Sequence, residues 1–276
     1  MKTGIILLAR MGSTRLPGKV MLDLCGKPML EHIINRLSNL RKASPLVVAT
    51  TINPKDNIIA EFCRSNNVHV FRGSEDNVLE RCIQAAEAYG LDAIVRVGAD
   101  TPFIDWEIID DMLEVFFAEY HKGNRLEYLS NNIWRSFPLG LDADIMTKNS
   151  LLRIDAETKN SPEDQRKLNE INVVPYIHTH LDKFNTLSYH KDFDYSYLRW
   201  TLDTREDYEL TKKIYETLYP TKPDFLMKDI LELLDQNPTW SSINAKVVPR
   251  SGHWTEIEKK KLEQRFSGTT PASIQD

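Results

Sequence analysis

The stretch TGIILLARMGSTRLPGK, residues 3–19, joins a buried strand to a charged loop. Its first part, Thr3–Ala9, is almost entirely apolar, as expected of a strand covered on both faces. The remainder contains three cations and two glycines, and acidic side chains are absent until Asp23. Backbone N–H groups and cations in such a loop can converge on a polyphosphate. A solvated basic connection between strand and helix is the alternative.

The spacing of this loop excludes the phosphate loop of the P-loop NTPases. That motif needs four residues between its glycines and a hydroxyl side chain after the lysine. Here five residues separate Gly12 from Gly18, and Val20 follows Lys19. The prediction of a bound phosphate therefore stands without that identity.

The composition is that of an ordinary soluble globular protein. The 276 residues are 41% hydrophobic, which is enough for a sizeable core in one large α/β domain or a domain with an appendage. The formal charge of -5 argues against a nucleic-acid-binding surface. Neither a membrane span nor a signal peptide is expected from the short apolar runs, so we expect a cytoplasmic protein. The 3 cysteines lack C-x-x-C spacing, which argues against disulfides and structural zinc.

Strand-like and helical patterns alternate through the first half of the chain, which predicts βαβ units around a parallel sheet. The predicted strands there are Thr3–Ala9, Leu46–Thr50, Val68–Phe71 and Ala93–Val97, and the predicted helices are Met29–Leu40, Asp56–Asn66, Val78–Tyr89 and Trp106–Tyr120. Farther along, we expect strands at Tyr128–Ser130, Leu141–Met146, Phe184–Tyr189 and Leu198–Leu202, and helices at Asn169–Leu181, Asp207–Leu218 and Phe225–Leu234. The alternating pattern of Leu198–Leu202 is typical of a strand exposed on one face.

Two aspartates follow predicted strands. Asp100 comes after Ala93–Val97, and Asp203 after Leu198–Leu202. Ligands of open parallel sheets collect beyond the carboxyl ends of the strands. A carboxylate can face a polyphosphate there only if a cation lies between them, and Mg²⁺ is the expected cation. Asp100 could instead cap the segment that follows it.

The stretch FRGSEDNVLER, residues 71–81, is largely explained by local structure. Gly73 suits a turn, and Ser74 is expected to cap a helix that begins near Asp76. Arg72 and Arg81 have no local role in this interpretation and could be surface residues.

Five stretches together resemble one known family. They are ARMGSTRLPGK at 9–19, VATT at 48–51, FRGSEDNVLER at 71–81, VRVGADTPFID at 95–105 and RWTLDT at 199–204. They are similar to the cytidylyltransferases typified by spore-coat polysaccharide biosynthesis protein F, which are relatives of the enzymes that make CMP-sialic acid and CMP-Kdo. The resemblance runs through nearly the whole chain.

The resemblance implies an α/β Rossmann-like nucleotide-diphospho-sugar transferase fold, in which CTP lies across the carboxyl edge of a mostly parallel sheet. It implies transfer of CMP to a small anionic acceptor, with release of pyrophosphate, for surface polysaccharide synthesis. The implied catalytic residues are Arg10, Arg15, Lys19, Asp100 and Asp203, with both aspartates as ligands of Mg²⁺. The implied nucleotide-binding residues are Ala9, Arg10, Met11, Gly12, Arg15, Lys19, Arg72, Ser74 and Arg81.

The sequence departs from the family pattern at Ala99, where glycine is common, and at Ile171-Asn172, where a Glu-His pair is usual. The change at Ala99 concerns the fit of the nucleotide. If the segment at Ile171-Asn172 lines the acceptor pocket, we expect an unusual acceptor, with Asp142, Asp144 and Asn172 as acceptor-binding candidates. Asp142 and Asp144 could equally be polar positions on a strand. A phosphate or phosphonate acceptor, and a nucleotide-binding regulator without turnover, are the alternatives.

The expected organisation is a catalytic domain over residues 1–218, a helical extension over 219–266 and a disordered tail over 267–276. The resemblance also implies a homodimer, with its arm at about 125–200. No nucleic-acid or membrane partner is expected.

Overall fold

The computed structural model describes residues 1–159, 163 and 173–248. The strands of this part of the chain are β1 (Thr3–Leu8), β2 (Asp23–Leu24), β3 (Lys27–Pro28), β4 (Leu46–Thr51), β5 (His69–Gly73), β6 (Ala93–Gly98), β7 (Tyr128–Ser130), β8 (Asp144–Thr147) and β9 (Thr186–Ser188). Its α-helices are α1 (Met29–Leu37), α2 (Asn57–Ser65), α3 (Val78–Ala88), α4 (Trp106–Glu119), α5 (Lys148–Lys159), α6 (Val173–Thr179), α7 (Arg205–Leu218) and α8 (Met227–Gln236). The predicted helix start at 169–172 and the predicted tail lie outside the described residues.

The central sheet has the strand order β5-β4-β1-β6-β8-β7-β9. Its first four strands are mutually parallel, β8 is antiparallel to both neighbours, and β9 is parallel to β7. In the middle of β1, Ile5 pairs with Leu46 of β4 and with Val95 of β6. This confirms the predicted α/β fold with a mostly parallel sheet. The loops that follow β1 and β6 therefore lie side by side at the carboxyl edge.

Apolar side chains alternate between two cores because β1 is covered on both faces. Ile5 and Leu7 belong to a core that includes Ile33 of α1, whereas Ile6 belongs to a second core that includes Ile83 of α3. All five side chains are at most 7% exposed. The apolar run at the N-terminus is thus the central strand of a three-layer structure, with helices on either side of the sheet. Among the described residues, no helix combines the length and apolarity that crossing a membrane requires.

The predicted strand Leu198–Leu202 is wrong. The segment is extended, but it makes only an isolated bridge, between Leu139 and Arg199. Trp200 and Leu202 are buried as predicted, but Thr201 on the opposite face is also only 8% exposed. Its alternating pattern reflects packing between two loops, because the Leu202 N–H donates to the Asp100 carbonyl at 2.8 Å.

Helix α5 was not predicted from the sequence. Its apolar positions are few, and Leu151 and Ile154 are the large side chains it buries. A capping signal was available at its start, where the Thr147 hydroxyl accepts the Ser150 N–H at 3.1 Å. Such a hydroxyl three residues ahead of a helical amide is a common helix start.

The C-terminal extension shares the core that includes Ile33. Phe225, Ile230 and Leu233 all belong to that core. The Arg36 guanidinium of α1, which is buried, donates to the Phe225 carbonyl at 2.7 Å. The extension is therefore packed against the sheet layer instead of forming a core of its own.

Gly140 is expected to be the glycine least tolerant of a side chain. Its φ is +113°, and a Cβ would lie 2.4 Å from the Thr201 nitrogen and 2.6 Å from the Trp200 carbonyl carbon. We expect Gly140→Ala to lower the free energy of unfolding by about 3 kcal/mol, because it combines backbone strain with a clash against main chain. Chemical denaturation measures this loss.

Gly26→Ala is the matched control for that substitution. Gly26 also has a positive φ, +82°, but a Cβ there would meet nothing within 4 Å. Only the backbone cost of about 1 kcal/mol is expected for it. Equal losses in the two variants would contradict the proposed clash with residues 200–201.

Candidate active site

The loop after β1 folds back on itself. The Met11 carbonyl accepts the N–H groups of Ser13 at 2.9 Å and Gly18 at 3.0 Å. Gly18 has a φ of +72°, a left-handed conformation that glycine adopts at little cost. This turn directs the chain back toward the sheet, so that Lys19 follows it into a buried position.

The Lys19 ammonium lies between the two candidate metal ligands. Its Nζ atom is 2.8 Å from Asp203 Oδ1 and 3.3 Å from Asp100 Oδ2. It also donates to the Leu202 carbonyl at 2.8 Å. The side chain of Lys19 is only 11% exposed, so these contacts are weakly screened by water. The structure thus brings together three residues that are 81 or more positions apart in sequence.

Three cationic side chains contact the carboxylate of Asp203. Besides Lys19, Arg15 Nη2 lies 2.7 Å and Arg199 Nη2 lies 3.2 Å from its Oδ2 atom. Burial raises the pKa of Asp203, but Lys19, Arg15 and Arg199 outweigh burial and leave that pKa below its ordinary value. The carboxylate is therefore ionised at neutral pH and able to bind a cation.

Asp100 does not cap the helix that follows it. The N-cap of α4 is Asp105, whose carboxylate accepts the N–H groups of Glu107 at 3.0 Å and Ile108 at 3.3 Å. The Asp100 side chain is 41% exposed at the carboxyl end of β6. Its carboxylate is available to a ligand, and the capping alternative is wrong.

The donor set at this edge fits Mg²⁺. Oxygens of Asp100 and Asp203 already converge on one cationic nitrogen, that of Lys19. Within residues 1–159, 163 and 173–248, no group of three or more His, Cys, Asp or Glu side chains could hold a metal by itself. Mg²⁺ commonly binds through one or two carboxylates plus substrate phosphates, so two carboxylates suffice when a phosphate is bound.

The buried side chain of Asp56 holds the loop after β1 in place, and this role was not predicted from the sequence. Asp56 Oδ1 accepts the Met11 N–H at 2.7 Å, while its other oxygen accepts the Thr51 hydroxyl. Asp56 is 2% exposed. It ties the loop after β1 to the end of β4. The signal available in sequence was an aspartate two residues after Pro54, at a helix start.

Arg72 is hydrogen-bonded to the loop that follows β4. Its guanidinium donates to the Thr51 carbonyl at 2.8 Å, to the Asn53 carbonyl at 2.9 Å and to Asn57 Oδ1 at 2.7 Å. Arg72 is half-buried, and these three hydrogen bonds give it a structural role at the surface.

Ser74 and Arg81 are joined to each other. The buried Arg81 guanidinium donates to the Ser74 carbonyl, so the surface interpretation of Arg81 is wrong. Ser74 does not cap α3. The cap is Asn77, which accepts the Glu80 N–H at 2.8 Å, and the Ser74 hydroxyl accepts the Asn77 N–H at 3.0 Å one turn earlier.

The two acceptor candidates Asp142 and Asp144 each pair with an arginine. Asp142 pairs with Arg135, and both side chains are partly exposed. Asp144 is 1% exposed and lies 2.8 Å from Arg96 Nη1. Asn172, the third candidate, lies outside the described residues.

Asp144 also belongs to a buried hydrogen-bonded network. The Tyr128 hydroxyl donates to Asp144 Oδ1 at 2.6 Å and lies 3.1 Å from His178 Nε2. Burial raises the pKa of Tyr128, and the Asp144 charge raises it further. The hydrogen bond from Tyr128 holds the Asp144 carboxylate in place. Asp144 in turn fixes Arg96 on the sheet face next to the carboxyl edge.

Acid is expected to destabilise the protein through His178. Burial lowers the pKa of His178 to about 4 from the ordinary 6.5, although Asp144 opposes this. Between these two values the unfolded chain binds a proton that the folded chain does not, so the free energy of unfolding falls as the pH drops. The loss is on the order of 3 kcal/mol.

Denaturation of the wild type and of His178→Gln from pH 7 to pH 4.5 measures this effect. The variant should lose less stability than the wild type across the window. His69→Gln is the control, since His69 is an exposed residue of β5. Parallel pH profiles for the wild type and His178→Gln would contradict a depressed pKa at His178.

Comparison with known proteins extends these observations. The sequence profile of the cytidylyltransferase family matches residues 4–245. Spore coat polysaccharide biosynthesis protein SpsF of Bacillus subtilis is 34% identical, over 84% of this chain and 94% of its own. A solved cytidylyltransferase from Leptospira borgpetersenii shares 34% identity and a TM-score of 0.80, covering 91% of this chain and all of its own.

A more distant solved structure shares the fold. It is CMP:2-keto-3-deoxy-manno-octonic acid synthetase complexed with CTP, at 16% identity and a TM-score of 0.58, covering 78% of this chain and 99% of its own. The family match takes in the whole loop after β1 as well as Asp100 and Asp203. The chain therefore belongs to the cytidylyltransferase family and is a nucleotidyltransferase.

Proposed function

We propose that this enzyme transfers CMP from CTP to an anionic sugar or sugar-like acceptor, with release of pyrophosphate, for surface polysaccharide synthesis. The observation that carries the proposal is the convergence of Lys19, Asp100 and Asp203 at the carboxyl edge. A cation held by two carboxylates beside a phosphate-binding loop is what nucleotidyl transfer requires, because that chemistry depends on positioning and charge neutralisation. The distant synthetase structure, which is a complex with CTP, supports CTP as the nucleotide.

On this proposal the nucleotide lies over the loop after β1. Arg15 and Lys19 would bind the triphosphate, and the exposed Arg10 would join them when CTP is present. Ala9, Met11 and Gly12 would lie near the nucleoside, supported from behind by Asp56 at the Met11 N–H.

On the far side of the nucleotide, Arg72, Ser74 and Arg81 would form its rim. Their hydrogen bonds fix the loops after β4 and β5, so this rim would be set before the nucleotide arrives. Preorganised loops reduce the entropy lost on binding.

In the reaction, an acceptor oxygen attacks the α-phosphorus of CTP while the bond to the bridging oxygen of pyrophosphate breaks. Asp100 and Asp203 would hold Mg²⁺, which supplies neutralisation of the charge that develops on the phosphate oxygens. Lys19 and Arg15 would share that charge and orient the leaving group. A carboxylate, phosphate or phosphonate nucleophile needs no general base, whereas a sugar hydroxyl does.

The acceptor is proposed to bind beside the nucleotide, near β8. The ion pair of Arg135 with Asp142 supports this, because it is partly exposed and presents both charges to a polyhydroxylated anion. Asp144 is buried and would act by holding the partly exposed Arg96. Asn172 is proposed to contribute as well. An acceptor-binding site at this place would set the choice of substrate independently of CTP.

Pyrophosphate release tests the proposal. The protein is incubated with Mg²⁺, with CTP, UTP, GTP or ATP, and with a panel of acidic sugars, sugar phosphates and phosphonates. We expect release that requires both CTP and an acidic acceptor. Release with another nucleotide alone, or none with CTP together with no CTP binding, would overturn the proposal. Phosphorus NMR of the product distinguishes a CMP-sugar from a pyrophosphate-type linkage formed on a phosphate or phosphonate.

We also propose that the enzyme is a homodimer whose arm lies at about residues 125–200. The exposed Tyr197, 74% accessible, supports an interface in this region. Light scattering on the purified protein tests the mass, and a monomer at micromolar concentration would contradict the dimer.

A further inference from the structure

Asn244 connects the C-terminal extension to the candidate active site. It follows α8 and the short helix Trp240–Ser242, and it is only 3% exposed. Its side-chain amide donates to Asp207 Oδ1 and to the Arg199 carbonyl, both at 2.9 Å. The buried amide donor of Asn244 thus contacts the segment around Asp203, although it lies more than thirty residues later in the chain.

Asp207 is the carboxylate on which these contacts meet. Its side chain is fully enclosed, with 0% exposure. Its donors are Arg199 Nε and Nη2 at 2.8 Å each, Asp203 N and Thr204 N at 3.0 Å each, and Asn244 Nδ2 at 2.9 Å. Water cannot replace a lost donor at such a site without a rearrangement, so the position of Asp207 depends on all of its donors.

Asp207 fixes the position of Asp203 through two sets of contacts. The main chain of Asp203 donates directly to Asp207 Oδ2. The carboxylate of Asp203 meets the Arg199 guanidinium at 3.2 Å, and that guanidinium is held in a bidentate pair by Asp207. A bidentate pair fixes the plane as well as the position of the guanidinium.

We propose that Asn244 is a positioning residue for the transfer reaction, because it locks the Arg199–Asp207 pair that aims the carboxylate of Asp203. This inference rests on the proposed metal-binding role of Asp203. It gives the extension a role in catalysis: without the Asn244 amide, the Arg199–Asp207 pair loses a contact that fixes it, and the Asp203 oxygens leave the geometry that a metal needs. Partners behind metal ligands typically tune affinity 10- to 100-fold.

The test compares Asn244→Ala with Asn237→Ala. Asn237 belongs to the same extension and is half-buried, but its amide donates only to the Leu233 carbonyl among the described contacts, at 2.9 Å. For each protein, the Mg²⁺ concentration for half-maximal activity is measured at saturating CTP. Binding of Mn²⁺ in the presence of CTP is followed separately by electron paramagnetic resonance.

We expect Asn244→Ala to raise the half-saturating Mg²⁺ concentration and the Mn²⁺ Kd about tenfold, with kcat lowered by a similar factor and the KM for CTP little changed. Asn237→Ala should leave the metal dependence as in the wild type, whatever its melting temperature. If Asn244→Ala does not fold, Asn244→Ser, which keeps a hydroxyl donor, should show a smaller shift in the same direction.

A metal dependence in folded Asn244 variants equal to that of Asn237→Ala would overturn the positioning role. That outcome is distinct from failure of the proposed function. If the function itself is wrong, the wild type will show neither CTP-dependent turnover nor Mn²⁺ binding that requires CTP.

Discussion

Replacing Asp203 by alanine is expected to abolish Mg²⁺-dependent turnover while leaving the protein folded. The substitution removes one of two proposed metal ligands and the shared partner of Lys19, Arg15 and Arg199. Metal ions contribute several kcal/mol of transition-state stabilisation, which corresponds to a loss in kcat of about a thousandfold. Steady-state pyrophosphate release at saturating CTP measures it.

Asp155→Ala is the control for Asp203→Ala. Asp155 pairs with Lys159 within α5, away from the sheet edge, so its loss should leave turnover unchanged. Thermal unfolding and circular dichroism establish that Asp203→Ala is folded. Near-normal activity in a folded Asp203→Ala variant would remove this residue from the metal site.

Lys19→Met should weaken CTP binding and slow transfer together. Lys19 would contact the triphosphate in both the ground state and the transition state, so KM should rise and kcat should fall. We expect kcat/KM for CTP to fall by about 10²–10³, comparable to the loss of one charge-stabilising donor. Methionine retains the buried chain of the lysine and removes the ammonium, with its charge and its hydrogen bonds.

Lys19→Met should also change metal binding in the absence of CTP. The ammonium lies 2.8 Å from Asp203 and 3.3 Å from Asp100, so a metal must compete with it for both carboxylates. The variant should therefore bind Mn²⁺ more tightly than the wild type when no nucleotide is present. General damage to the site would weaken the binding of both Mn²⁺ and CTP. Tighter Mn²⁺ binding together with weaker CTP binding therefore indicates that Lys19 competes with the metal.

Lys27→Met is the control for Lys19→Met, because Lys27 of β3 forms a partly exposed pair with Glu31 of α1. Wild-type kinetic constants are expected for it. Unchanged KM and kcat in Lys19→Met itself would contradict the placement of Lys19 at the triphosphate.

The central features of the fold could be predicted from local sequence. The run Thr3–Leu8 is apolar at consecutive positions because both faces of β1 are covered, and such a run is visible without knowledge of its neighbours. Asp100 could be singled out because parallel strands bring their carboxyl ends to one edge. Asp203 was selected by the same rule, but it follows a loop and reaches this edge because Leu202 is hydrogen-bonded to Asp100. The direct pairing of both aspartates with Lys19 was not predicted, because Mg²⁺ was the cation expected beside them and Lys19 was expected at the triphosphate.

The supporting contacts could not be predicted in the same way. Asp56 and Asp207 are ordinary acidic residues at helix starts in the sequence, and their roles depend on partners from distant segments, Met11 and Asn244. The strand prediction for Leu198–Leu202 was wrong for a related reason. Alternation records which side chains are buried, but it does not distinguish a sheet neighbour from a packed loop.

The reversed direction of β8 has a consequence for how substrate choice can change. Because β8 is antiparallel to β6, the chain enters it at the edge where β1 and β6 end, and residues 131–143 form the approach. Much of this approach is buried, and Gly140 within it packs against the main chain of residues 200–201, so its length is constrained. Its partly exposed side chains, such as Arg135 and Asp142, are freer to change, and the register of β8 against β6, where Asp144 meets Arg96, would hold the sheet while they did. On the proposed placement of the substrates, one half of the sheet could thus be redesigned for a new acceptor while the half proposed to receive the nucleotide keeps its geometry.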